Sequence, residues 1–160
     1  MHEGYLCWLY EQFKDYCPAG PKIENIQLDK TTGKVSSSIF FTSYSLPCFV
    51  PFHDDFYLAG KKIVPQNIGE LLTPLGLGSV DSYDGSFDQR DGVVVLHTQG
   101  FTKEEVELLV KTLNDKWDLN CTINKSGSGF KIRIPKKSVP VLQNYCGQHM
   151  PPMMRFKIGL

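Results

Sequence analysis

The sequence predicts an α+β fold built as an internal repeat. Two observations carry this. A helix, a strand, a turn, a strand and a second helix follow one another twice, once before residue 69 and once after residue 100. The closing helix of each copy is also entered in the same way, by Ser45-Leu46-Pro47 in one and Ser138-Val139-Pro140 in the other. The expected division is a partial N-terminal repeat over 1–68 and a complete C-terminal repeat over 69–160, the latter carrying an extra segment, Gly69 to Gly100, that the first copy lacks.

Taken in order, Tyr5, Leu6, Leu9, Tyr10 and Phe13 recur at helical spacing, which predicts a helix from Gly4 to Tyr16 that Pro18 and Gly20 stop. Ile23 to Leu28 and Val35 to Phe41 read as strands of a hairpin in which Gly33 supplies a positive φ. A second helix is expected from Pro47, with Ser45 as its cap, Phe49, Phe52 and Phe56 on one face, and Ala59-Gly60-Lys61-Lys62 at its end. In the later half Thr102 and Glu105 form a capping box, in which hydroxyl and carboxylate each satisfy an amide of the first turn. The stripe Val106, Leu109, Val110, Leu113 and Trp117 then extends that helix to Trp117. Cys121-Thr122-Ile123 and Phe130 to Ile134 are strands joined through Ser126-Gly127-Ser128-Gly129. Alternation in the second strand puts Phe130, Ile132 and Ile134 on one face and Lys131 and Arg133 on the other. A last helix spans about Val139 to Gln148, before Met150-Pro151-Pro152.

Charge is balanced overall, 17 basic against 17 acidic side chains, but unevenly spread. Residues 1–100 hold 7 basic and 12 acidic groups, residues 101–160 hold 10 and 5. Beyond Asp118 come Lys125, Lys131, Arg133, Lys136, Lys137, Arg155 and Lys157 with no carboxylate side chain, an asymmetry that points to nucleic acid. No apolar run is long enough to span a membrane, and the N-terminus lacks the pattern of a secretory leader. Cys7, Cys17, Cys48, Cys121 and Cys146 are odd in number and scattered, which argues against a disulfide framework or a zinc site. His2, His53, His97 and His149 are equally dispersed.

The segment between the repeats carries the most specific signal. A helix over 74–85 is expected, with Thr73 as cap, Pro74 in the first turn and Gly85 in the left-handed position past its end. Gly76, Gly78 and Ser79 are small enough to admit a second helix closely. Asp84 then sits in the last turn, where the helix carbonyls disfavour an anion by about 0.3–1 kcal/mol. A divalent cation held by carboxylate and backbone carbonyl is one group that offsets this, although an Asp-Gly pair alone is ordinary turn chemistry.

Leu77-Gly78-Ser79-Val80-Asp81-Ser82-Tyr83-Asp84-Gly85 resembles the nine-residue motif of the LAGLIDADG homing endonuclease and maturase family. Leu71-Leu72-Thr73-Pro74, His97-Thr98-Gln99-Gly100-Phe101, Asn120-Cys121-Thr122-Ile123, Ile132-Arg133-Ile134-Pro135 and Lys157-Ile158-Gly159-Leu160 resemble its organellar branch, and the likeness covers essentially the whole chain. The resemblance implies a pseudo-twofold saddle of antiparallel sheets with helices on one face. Two motif helices would meet at its centre, each offering its last Asp to Mg²⁺ at a scissile phosphate. By that likeness Asp84 is the catalytic carboxylate and, with Gly85, the metal site. Ser86, Gln99, Asn124, Lys125, Lys131 and Arg133 are the expected DNA contacts. The implied activity is Mg²⁺-dependent cleavage of double-stranded DNA, or RNA binding in a maturase-like or degenerate relative. The implied residence is a mitochondrion or plastid. One motif occurs here, so the chain reads as truncated before its first motif, the second helix coming from a dimer or from a missing N-terminal half. Asp81 stands where the motif is apolar, which predicts either a solvent or polar neighbour for it or a helix that no longer packs as the family's does.

Overall fold

The structure, a computed structural model, describes residues 3–25 and 37–160, with the side chains of Asn25 and of residues 80–83 outside the description. The expected Gly33 turn and the surroundings of Asp81 therefore lie outside the described residues. The chain divides into two compact units, Met1–Phe49 and Val50–Leu160. Among the described residues no helix is long and apolar enough to cross a membrane, and the five cysteines form no disulfide.

In the first unit, helix α1 (Glu3–Phe13) runs into a 3₁₀ turn, Lys14–Tyr16. Strands β1 (Lys22–Asn25) and β2 (Ser37–Phe40) pair antiparallel, Ile23 opposite Ile39. Tyr5 and Leu6 are its buried apolar residues, and edge-on ring contacts join Tyr10 to Phe41 and Tyr16 to Phe49. The helix expected from Pro47 begins instead as a 3₁₀ turn, Pro47–Phe49.

The second unit opens with α2 (Val50–Phe56) and a short hairpin, β3 (Tyr57–Leu58) and β4 (Lys61–Lys62). Ala59 and Gly60 turn it with positive φ, so the residues read as a helix stop form a strand pair. After α3 (Ile68–Leu71) comes the motif helix α4 (Pro74–Asp84). The Thr73 hydroxyl accepts from the Gly76 amide at 3.1 Å, as a cap should. The far end differs from expectation. Gly85 is not left-handed; it is the first residue of strand β5 (Gly85–Asp88), so helix passes straight into sheet. A hairpin follows, with β6 (Val93–Leu96) antiparallel to β5 and Gly92 at φ +66 in the loop. The Asp88 carboxylate accepts from the amides of Arg90 and Asp91 and sets that turn.

Helix α5 (Lys103–Trp117) has the expected capping box. Glu105 also accepts from the Val64 amide at 3.0 Å, tying the linker to the helix. At the other end Asn114 accepts from the amide of Cys121 at 2.6 Å and donates to its carbonyl, which aims the chain into β7 (Thr122–Ser126). Strand β8 (Gly129–Ile134) returns through Gly127 and Ser128, and α6 (Val139–Cys146) follows after a 3₁₀ turn. The four-stranded sheet has the order β5-β6-β8-β7. Its inner face supplies Val94, Leu96, Ile132 and Ile134, all at most 3% exposed, to a core shared with Val106, Leu113, Leu142 and Ile158. Gly78 of α4 lies where a Cβ would stand 3.3 Å from the Met150 side chain and 3.5 Å from the Cys146 carbonyl, so the small residue does admit a close neighbour, the end of α6.

Gly129 is the most constrained glycine of the sheet. A Cβ there would lie 2.7 Å from the Gln99 carbonyl oxygen and 2.8 Å from its Cα, backbone atoms that cannot swing aside. Gly129→Ala is expected to lower stability by about 1–3 kcal/mol, measured by urea denaturation. Gly100→Ala, whose Cβ would meet nothing within 4 Å, is the control and should shift the midpoint little.

Candidate nucleic-acid interface and metal centre

The register of the four-stranded sheet decides which side chains meet. Ser86 faces Val95, Val95 faces Arg133 and Arg133 faces Thr122, one row across all four strands. Cross-strand partners share a face, so this row lies on the side opposite Ile132 and Ile134. Two residues along, on the same face, Lys131 pairs with Asn124. The same register continued brings His97 opposite Lys131. The His97 amide in turn donates to the Asp84 carbonyl at 3.0 Å. A second row thus reads Asp84, His97, Lys131, Asn124, and it starts at the last residue of the motif helix.

This face is polar and only partly covered. His97 and Asn124 are exposed, Asp84, Ser86, Lys131 and Arg133 half-buried. Neither Lys131 nor Arg133 is in an ion pair among the described residues, whose salt bridges all lie elsewhere on exposed surface. The His97 Nε2 lies 3.0 Å from the Ser86 hydroxyl. Partial burial, then the Lys131 ammonium, push the His97 imidazolium below its ordinary pKa of 6.5; the Asp84 carboxylate pulls the other way, and Lys157 from the C-terminal 3₁₀ segment Pro152–Ile158 adds to the lowering. The ring is therefore neutral near pH 7, and those three charged groups all act on it.

Of the residues expected from sequence, Ser86, Asn124, Lys131 and Arg133 share this face, while Asp84, still in the helix, is tied to it by its carbonyl and by the pull of its carboxylate on His97. Lys125 does not. It pairs with Phe130, so alternation turns it to the other side of the sheet. Gln99 lies past the end of β6, exposed, with its backbone against Gly129. Gly85 lies between the Asp84 position, bonded to His97, and the Ser86–Val95 pair. In an antiparallel ladder the residue next to a bonded position points its carbonyl away from its neighbour, and β5 is an edge strand. His97 and Lys157 also act at this face, although the sequence pattern does not single them out as site residues. His97 directly follows the apolar run Val93 to Leu96, and strand alternation from Leu96 was the signal that could have found it.

As a metal centre the site offers one carboxylate. Among the described residues no three His, Cys, Asp or Glu come together to hold an ion. Asp84 nevertheless fits Mg²⁺ as a single protein ligand, since that ion keeps several waters and is commonly bound through one or two carboxylates and the phosphates of its substrate.

A sheet with one buried face and one polar face bearing Lys131 and Arg133, joined to a carboxylate-bearing helix end, defines an α+β module suited to a polyanion. The chain belongs to the LAGLIDADG DNA endonuclease family, whose model matches residues 1–142. It is 27% identical over 161 residues to cytochrome b mRNA maturase bI2 of Debaryomyces hansenii, covering 99% of this chain and 61% of that protein. To cytochrome b mRNA maturase bI2 of Saccharomyces cerevisiae it is 26% identical over 167 residues, covering 98% of this chain and 39% of that one. The chain thus spans less than two thirds of either relative. Its fold matches the structure of "the homing endonuclease I-WcaI bound to its DNA recognition sequence" with a TM-score of 0.90 and 26% identity, over 98% of this chain and 71% of the other. The α+β, LAGLIDADG-type architecture expected from sequence is the one found.

The charges around His97 make a direct test. In an NMR titration its ring should titrate below 6.5. Lys131→Gln should raise that midpoint and Asp84→Asn lower it further. With the folded midpoint depressed, the unfolded chain binds the extra proton first, so His97 costs stability as pH falls through 6.5.

Proposed function

We propose that this chain binds double-stranded DNA across the polar face of its four-stranded sheet and hydrolyses a phosphodiester at Asp84. The observation that carries the reading is the row Asp84, His97, Lys131, Asn124, which sets a helix-end carboxylate near the Lys131 ammonium, a cation in no ion pair among the described residues. Lys131 would neutralise a phosphate and help fix the duplex over the sheet, with Arg133 contacting it from an interior strand, Ser86 and Asn124 as polar contacts and Gln99 at the rim. The neutral His97 ring, held by the Ser86 hydroxyl, is placed to orient a water or phosphate oxygen. Lys157 adds positive charge where the phosphate gains negative charge. Asp84, with the Gly85 carbonyl at the sheet edge, would hold Mg²⁺. When bound, that ion lowers the pKa of a coordinated water and offsets charge on the attacking and leaving oxygens.

One motif helix supplies one carboxylate, so a second must come from another copy or another segment. We propose that 69–160 is the complete repeat and 1–68 its partial counterpart, both copies having the order helix, hairpin, 3₁₀ turn, helix. Residence in a mitochondrion or plastid is proposed from the likeness to cytochrome b mRNA maturases. The same likeness favours a second reading, an RNA-binding maturase that uses the sheet without cleavage.

Incubation of supercoiled plasmids with Mg²⁺ tests the first reading. Nicking is expected, with loss in EDTA and at least a ~10²-fold drop in rate for Asp84→Ala. Binding to duplex DNA should weaken with salt, and Lys131→Ala should shallow that dependence by about one charge. RNA binding that survives Asp84→Ala, with no nicking by the unaltered chain under any condition, would replace cleavage by the maturase reading.

A further inference from the structure

We propose that Arg133 and Val95 form a base-reading pair, Arg133 taking a guanine through O6 and N7 and Val95 taking the methyl group of a thymine in the adjoining base pair. This rests on the duplex-DNA reading of the same face. The two residues are direct partners across β6 and β8, the two interior strands of the sheet, while Ser86 and Thr122 at the ends of their row lie on its edge strands. A duplex lying over such a sheet presents base edges to its middle and phosphates to its rims. Partners in a ladder stand about 5 Å apart, and successive base pairs about 3.4 Å, so the two side chains reach neighbouring base pairs rather than the same one.

The chemistry of each residue fixes what it can accept. The guanidinium is a planar fork of donors, and guanine is the base that offers two acceptors side by side in the major groove. Neither of its row neighbours, Val95 and Thr122, is a carboxylate, and Arg133 is in no ion pair among the described residues, so the fork is left for an outside acceptor. Val95 is the one apolar side chain in the two rows that also hold Asp84, Ser86, His97, Thr122, Asn124 and Lys131. It is half-buried, so part of it faces outward. Against any base edge other than a methyl it would leave a donor or acceptor without a partner. Lys131, a compact point charge beside Asp84 and His97, is suited to phosphate instead.

Selection from a pool of randomised duplexes in EDTA, with the unaltered chain and with Arg133→Gln, Arg133→Lys and Val95→Thr, tests the pair. The unaltered chain should enrich a guanine next to a thymine. Arg133→Gln should exchange that guanine for adenine, whose N6 and N7 match an amide, while every other position keeps its preference. Arg133→Lys, whose ammonium still donates to O6 and N7 but without the planar fork, should keep guanine first and narrow its lead over the other bases. Val95→Thr, nearly the same shape, should relax the thymine alone. If Arg133→Gln weakens all sequences alike, Arg133 is a phosphate contact and the proposal falls while the DNA reading stands. If the unaltered chain retains duplexes but enriches no sequence, the base-reading pair falls and the DNA reading stands; if it retains no duplex at all, the DNA reading falls with it.

Discussion

The hydrogen bond from the His97 amide to the Asp84 carbonyl is the constraint on which the site depends. The last carbonyls of a helix ordinarily lack partners. Here the final residue of α4 is drawn into the ladder of the sheet, and Gly85 carries the chain from helix to strand without a loop. The backbone of Asp84 is thereby indexed to the strands. Every later pairing, His97 with Lys131 and Lys131 with Asn124, is counted from that position. A slip of one residue between β5 and β6 would exchange Ser86 for Phe87 on the outer face and remove the carboxylate from the cations.

Burial on the other face holds this register in place. Val94, Leu96, Ile132 and Ile134 are buried on the inner side, so the strands cannot shift without exposing them. Asn114 fixes where β7 begins, and the capping box with its added bond from Val64 fixes where α5 begins. The core thus acts on the site through alternation. What is apolar inside determines what is polar outside.

Much of this was legible in the residues. The α5 helix was bounded by its cap and its stripe, and the Phe130 to Ile134 alternation placed Lys131 and Arg133 correctly because a half-buried strand has only two faces. Other features were decided by tertiary pairing. Gly85 after Asp84 reads as a left-handed helix stop, yet the neighbouring strand claims it. Lys125 looks like part of a basic hairpin until its pairing with Phe130 puts it on the far face. The β5–β6 hairpin carried its own signal, Asp91-Gly92 before Val93, Val94 and Val95, which the stronger motif helix beside it obscured. That His97 and Lys157 come together has no local signature, since sixty positions separate them.

Lysine labelling read by mass spectrometry, with and without duplex DNA, reports which face of the sheet the nucleic acid covers. Lys131 and Lys125 belong to the same hairpin but to opposite faces of the sheet. DNA should shield Lys131 from reductive methylation and leave Lys125 as reactive as in the unbound chain. Shielding of Lys125 with Lys131 unaffected would contradict it, because nucleic acid would then lie on the other side of the sheet, away from Asp84.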